Sequence, residues 1–485
     1  MRQNRDGERN LFNQFGLFSF FLLFWANILF AESFADFKRV QSAAYTEYRD
    51  ERDNAFNAYL KAQWKEYKAY ITPPMYKEPK PKSIAPKPEQ KVPKVGPIVK
   101  IKLPEVKKIK KEEKPLKKEV KKDIHFDFFG SVVAFNYDKK IKKAKFYPES
   151  QRGISNFFSI LASSNYSVTL HEIENYRDTL KLNDWAVYLL VSKLAHRIYQ
   201  EPNEEKIYTW FLLNKLSYNV KIALSDSKSI YLLHYSKEII YATPRYSFNG
   251  KYYYIVSKYN KQNIERIYTY AQDYPEAEKA LDFTLKTLPS FQNTKRVKHI
   301  SFSEYGKVYK ASYHYNENLL DFMNTYPQVD YGVYFNAPME EATYRDLAED
   351  IKRYTDGKKM SEAMNIVLRF VQKAFKYERD NEQFGHEKVM FAEEALVFNA
   401  SDCEDRAILF SYLIKKLFGV SVVGVKYSDH MSTALYIPLH GDSIIYNRRR
   451  YVLADPTYVN ANIGQEMPRY KNIEPESFIR LRTYK

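Results

Sequence analysis

Cysteine is almost missing: Cys403 is the only one in 485 residues. One thiol has no partner within its own chain, so an intramolecular disulfide framework is excluded and the thiol stays free even in an oxidising compartment. The sequence also lacks H-E-x-x-H, C-x-x-C, P-loop and dinucleotide-type glycine patterns, which removes the usual signatures of zinc, nucleoside triphosphate and nicotinamide chemistry. No cysteine follows the early apolar run, so a lipoprotein anchor is excluded as well.

A strongly basic body is missing too, although the formal charge is +17. Residues 72–123 hold 17 Lys against 7 acidic residues and 10 of the 21 prolines, and so carry most of that charge. Such a stretch cannot bury enough apolar surface of its own to offset its ordering entropy, and it reads as a solvated, semi-extended spacer. A basic tether attracted to anionic lipid or polysaccharide is the alternative. The 43 tyrosines are spread along the chain without a recognition motif, so no nucleic-acid partner is expected.

What is present begins with "MRQNRDGERN" and the apolar run "GLFSFFLLFWANILFA" (16–31), followed by the small-x-small "SFA". Residues 1–35 have the layout of a secretory signal peptide, or of an anchor if uncleaved, placing the rest in or facing the periplasm. Residues 36–71 predict one long polar helix ended by Pro73 and Pro74, with a thin stripe including Phe37, Val40, Tyr48, Phe56, Tyr59 and Tyr67. So narrow a stripe suits docking on another domain or self-association.

Two globular segments are expected beyond the spacer, 124–330 and 331–485. "LLNKLSYNVKIAL" (212–224) aligns with "LIKKLFGVSVVGV" (413–425) at an offset of 201 residues. Either 124–330 is a degenerate copy, with Pro202 opposite Cys403 and Ser229 opposite His430, or two unrelated helix–strand units share a pattern.

The chemistry concentrates around "NASDCEDRAILFSYL". Ser401 and Glu404 form an S-x-x-E capping box ahead of apolar positions at helical spacing, and Gly419 ends the helix. Cys403 then falls in the first turn, where unpaired N–H groups and the helix dipole favour a thiolate. The neighbouring acids oppose this, so they point away, cap the helix or bind a cation. A thiolate nucleophile needs an imidazole base and a group that orients it. "VSVVGVKY" delivers His430 at a strand end, and "RRYVLADPTY" delivers Asp455 at another. His440 is the competing base.

"NIVLRFVQKAFKYERDNEQFG…NASDCEDRAILFSYLIKKLFG…DHMSTALYIP…YVLADPTYVNANIGQEMP" resembles the transglutaminase-like branch of the papain-like cysteine-peptidase superfamily over roughly 345–470. The resemblance implies an α+β fold with the cysteine-bearing helix on an antiparallel sheet. It implies Cys403 as nucleophile, His430 as base and Asp455 as orienting acid, with Gln383 as candidate oxyanion donor. In a related group of periplasmic transglutaminase-like cysteine proteinases, acids flanking the cysteine bind calcium, which here implies Asp402 and Glu404.

The expectation is therefore an exported cysteine enzyme acting on amide bonds of protein or cell-envelope substrates, by hydrolysis or acyl transfer. The alternative is an envelope scaffold that uses the same modules for assembly.

Overall fold

The thin apolar stripe forms the helix Phe34–Ala62 in the computed structural model, which describes residues 34–104, 122–256, 266–304 and 306–482. The apolar run 16–31 and the Lys-rich stretch 105–121 lie outside the described residues. The helix stops at Ala62, well before Pro73, where the Trp64 indole donates to the Leu60 carbonyl at 2.6 Å. Its second half docks on the 124–330 segment. Phe56 and Leu60 are fully buried, and Phe56 packs edge-on to Tyr270 and Tyr274. Asp53 accepts from the buried Lys215 ammonium at 2.6 Å, so this junction is both apolar and ionic.

Residues 65–71 were expected to continue the helix but form two strands, β1 (Lys65–Lys68) and β2 (Tyr70–Ile71). Next come the hairpin β3 (Ile124–Phe128) and β4 (Ser131–Phe135), then four helices between Gln151 and Lys215. The helix Pro202–Lys215 leads into β5 (Val220–Leu224), β6 (Ile230–Tyr235), β7 (Pro244–Phe248), β8 (Lys251–Tyr254) and β9 (Arg266–Thr269). The antiparallel order is β1-β9-β5-β6-β8-β7-β2. Because β1 and β2 are consecutive in the chain yet sit on opposite edges, segment 65–71 closes the sheet on itself and leaves no long free edge. Ala223, Leu233, Tyr246, Tyr253 and Ile267 fill its interior.

A long hairpin, β10 (Lys295–Glu304) with β11 (Lys307–Asn316), follows. It belongs to the second unit, not the first: Ser312 N–H donates to Asp350 and His314 pairs with Asp346 on the helix Glu341–Thr355. The boundary expected at 330 thus cuts through a packed region, and one apolar core runs from Phe56 to Ile479.

The C-terminal unit adds the short parallel pair β12 (Lys376–Tyr377) and β13 (Ala400–Ser401), then the helix Cys403–Phe418. Gly419, at φ 67°, ends that helix in the left-handed conformation glycine adopts without penalty. β14 (Val422–Lys426), β15 (Met431–Leu435), β16 (Ser443–Tyr446), β17 (Arg449–Ala454) and β18 (Ser477–Arg480) complete an antiparallel sheet in the order β16-β17-β15-β14-β18. Strands β5 to β9 have the same order, 7-8-6-5-9, as β14 to β18. Pro202 and Cys403 each open the helix before their sheet, and Ser229 and His430 each stand one residue before the second strand.

The largest departure from expectation is the Lys/Pro segment. Residues 72–103 do not hang in solvent; they form a strap along the C-terminal unit. Thr72 N–H still bonds Thr243 O of the first unit, after which Lys87 N–H bonds Val459 O and Val99 N–H bonds Lys358 O, while Met75, Val99 and Ile101 are buried. The segment has no core of its own and borrows one. Its prolines also remove backbone donors that docking would otherwise have to satisfy.

Phe56→Ala should lower the unfolding free energy by about 3–5 kcal/mol, because the aromatic cluster around it cannot collapse onto the void. Urea titration followed by tryptophan fluorescence measures this, and a shift under about 1 kcal/mol would contradict the docking role of the helix.

Candidate active site

Cys403 is the first residue of its helix, one place nearer the start than the sequence suggests. Asp402 occupies the cap position, and Asp405 accepts the Asp402 N–H at 3.3 Å and the Met390 N–H at 2.8 Å. Ser401 is not the cap; it pairs with Tyr377 in the parallel bridge and accepts from Arg406 at 3.2 Å. Glu404 is thereby released from capping and turns to the thiol. Cys403 Sγ donates to Glu404 Oε2 at 3.2 Å, and the Tyr76 hydroxyl lies 3.8 Å from the sulfur and 3.1 Å from the same carboxylate.

This corrects the expected thiolate. Cys403 is fully buried, and burial, followed by the charges of Glu404 and Asp402, pushes its pKa well above the ordinary thiol range. The helix dipole does not outweigh two carboxylates at contact distance, because low dielectric strengthens their repulsion of a second negative charge.

His430 ends the turn after β14. Its Nε2 lies 2.8 Å from Asp455 Oδ2, while Nδ1 is buried with no hydrogen-bond partner. Since a carboxylate can only accept, the proton is assigned to Nε2, and Nδ1 keeps a free lone pair. The Tyr470 ring stacks on the imidazole at 4.8 Å and 12°, and the Tyr470 hydroxyl donates to Asp429 at 3.0 Å. Asp455 Oδ1 accepts from the Thr457 and Tyr458 amides at 2.8 and 3.2 Å, so the carboxylate is fixed on both oxygens. His430 and Asp455 therefore meet at the ends of β14 and β17, while Cys403 opens the helix packed on β14 and β15 and its thiol contacts Glu404 and Tyr76. His440, on the far turn, takes no part in these contacts.

Gln383 makes no hydrogen bond to the thiol. Its Nε2 makes a 3.4 Å bond to the Ala400 carbonyl, and its Oε1 is buried without a partner. Sequence reasoning passed over Gln372 and Arg369. Gln372 Nε2 donates to the carbonyls of Asp455 and Tyr458 at 2.9 and 2.8 Å, and Arg369 binds Ala461 O and Asn462. Together they hold the loop that carries Asp455. The available signal was two polar side chains, three residues apart, on the buried face of the amphipathic helix Met360–Lys373.

The acids beside the cysteine have a partner the sequence did not reveal. Lys80, 3% exposed, places its ammonium 2.6 Å from Asp402, 2.6 Å from Glu404, and 3.0 Å from both Asp380 and Glu387. Burial disfavours that charge, but the four carboxylates, Asp402 and Glu404 foremost, hold it well above the ordinary lysine range. The donor set suits a hard cation, yet the expected calcium seat at Asp402 and Glu404 is the position this ammonium fills. With Lys80 in place the residues do not fit the ion. Burial, opposed by Lys80 but reinforced by Glu404 and Asp380, pushes Glu387 up to about 8, so it meets the ammonium as a neutral acid near neutral pH.

Beyond Tyr76, which packs against Tyr331, an open groove of about 980 Å³ runs past Pro73, Met75, Lys426 and Arg480. Comparison with protein-family models, with curated proteins and with solved structures returned no match.

Two outcomes follow. Iodoacetamide should alkylate Cys403 more slowly at neutral pH than a free thiol peptide, and mass spectrometry of the modified chain reads this; faster labelling would refute the buried, protonated thiol. Glu387→Gln should stabilise the chain at alkaline pH. The folded chain keeps a proton that the unfolded chain releases near 4.5, so wild-type stability falls from there up to about 8. The gain in melting temperature should be nil in acid and greatest above about pH 8; an equal gain at all pH values would contradict it.

Proposed function

We propose that the chain is a transglutaminase-like cysteine enzyme that cleaves or transfers amide bonds of polypeptides through Cys403, His430 and Asp455. One observation carries the reading: an imidazole with Nε2 tied to a doubly anchored carboxylate and Nδ1 free, on the same sheet against which the helix opened by the only cysteine packs. The α+β arrangement, with the cysteine helix against an antiparallel sheet, supports the same family.

In the reaction the thiol turns from Glu404 to His430. Nδ1 takes its proton as Sγ bonds to the substrate carbonyl carbon. The imidazolium then protonates the leaving amine as the C–N bond breaks, giving a thioester. Water or a second amine attacks that thioester, His430 accepts the incoming proton, and the sulfur departs. Asp455 holds the ring and stabilises the transient imidazolium. No calcium is needed for these steps, and residues 1–35 support export of the chain, with protein or cell-envelope substrates.

The complete burial of Cys403 favours a second reading, an envelope scaffold in which the module binds without turning over.

A peptidyl electrophile that mimics an amide separates the two. Enzyme function predicts a covalent adduct on Cys403, slowed at least about 100-fold in His430→Ala, the range general-base catalysis supplies. Asp455→Asn should slow it less and shift its pH profile. No adduct in the wild type or in Tyr76→Ala, or an adduct indifferent to His430, would favour the scaffold.

A further inference from the structure

We infer that Asp380, Glu387, Asp402 and Glu404 form a subsite for the lysine side chain of an extended polypeptide substrate, and that residues 75–81 of the strap are its resident competing occupant. The word substrate rests on the proposed enzyme reading; the binding itself does not.

Four observations carry the inference. The cluster exceeds what a fixed ion pair needs: its carboxylate oxygens lie within 4.8 Å of one another around one ammonium, and Asp380 Oδ1 and Asp402 Oδ1 are buried without any partner. Second, the cluster stands against the thiol: Glu404 accepts from Cys403 Sγ at 3.2 Å through one oxygen and from the Lys80 ammonium at 2.6 Å through the other. Third, the strap is held across the cleft by main-chain contacts that any peptide could make. The Lys77 and Glu78 N–H groups donate to Ser428 O at 3.1 Å on the His430 wall, and the Tyr377 hydroxyl donates to Pro81 O at 2.8 Å on the Cys403 wall. Fourth, the side chains of this stretch that reach the cysteine and its acids are Tyr76 at the sulfur and Lys80 in the cradle, four residues apart, while Lys77 pairs with Glu476 outside them.

An ammonium is the cation this cradle is shown to take. Its donors reach Asp402, Glu404 and Asp380 at 2.6, 2.6 and 3.0 Å, and the ammonium lies over the Tyr76 ring at 5.1 Å. A substrate lysine in the same seat would place its own main chain past Cys403 along the path that residues 76–81 follow.

The test reads thiol access in the full chain, not turnover. Tyr76→Ala combined with Lys80→Met should raise the rate of Cys403 alkylation by iodoacetamide on the order of tenfold or more, by releasing the strap locally. A synthetic peptide spanning residues 72–84 should then slow alkylation again, and the same peptide with norleucine in place of Lys80 should not. Unchanged alkylation in the double variant, equal protection by both peptides, or protection by calcium chloride and not by the lysine peptide would each overturn the inference. Should the variant lose hydrogen-exchange protection of β14 and β15, the wild-type chain decides. At saturating iodoacetamide its alkylation must not outrun exchange of the Lys77 and Glu78 amides, and faster alkylation refutes the strap as occupant. Lysine-dependent protection without any adduct from the peptidyl electrophile would sink the enzyme reading alone.

Discussion

One ammonium organises the centre of this protein. Lys80 sits among four carboxylates at the start of the cysteine helix, and without it those charges would face one another across a few ångströms in a buried site. Breaking such a buried pair costs about 3–5 kcal/mol, unless the stranded acids take up protons or another cation takes the seat. The position of the strap and the covering of Cys403 by Tyr76 follow from that placement, whereas burial and the flanking acids hold the thiol protonated, an effect the ammonium opposes. Glu404 links the three, since it accepts from Lys80, from Tyr76 and from the thiol.

The base side of the site is built mainly by the C-terminal unit's own residues. Asp455 is locked by two amides of its own loop, the loop is held by Gln372 and Arg369, and Tyr470 backs the imidazole. One half is therefore fixed largely by its own unit, while the thiol of the other is held by Glu404 and covered by Tyr76 of the strap. A thiol that donates to Glu404 cannot at the same time donate to His430 Nδ1. On the proposed enzyme reading, release of the strap frees the thiol for the imidazole.

Much of this was legible in the sequence where the signal was local. The helix from Cys403 to Gly419, the strand-end positions of His430 and Asp455, and the matching helix–sheet succession near 202–254 follow from hydrophobic periodicity, a left-handed glycine and turn residues. The cap was misplaced by one residue because Ser401 and Asp402 are both good caps, and the β12–β13 pairing of Ser401 decided between them. Residues 65–71 read as helix because their tyrosines continue the stripe, and the sheet they close lies about 200 residues downstream. The strap was hidden for a related reason. Composition tells whether a segment can build its own core, whereas Met75, Tyr76 and Lys80 are buried by partners more than 250 residues away. Nothing in "KEPKPK" marks Lys80 out from its neighbours.

The most direct measurement of the central claim combines the released strap with the chemistry it covers. The Tyr76→Ala, Lys80→Met chain is incubated with lysine-containing peptides, quenched in acid and analysed by intact mass spectrometry. The account predicts an acyl adduct on Cys403 that hydroxylamine removes, as a thioester requires, and that is missing when Cys403 is replaced by serine. Peptide cleavage or transfer that persists in Cys403→Ser, or a Cys403 that stays free of any acyl group with the strap released, would contradict it.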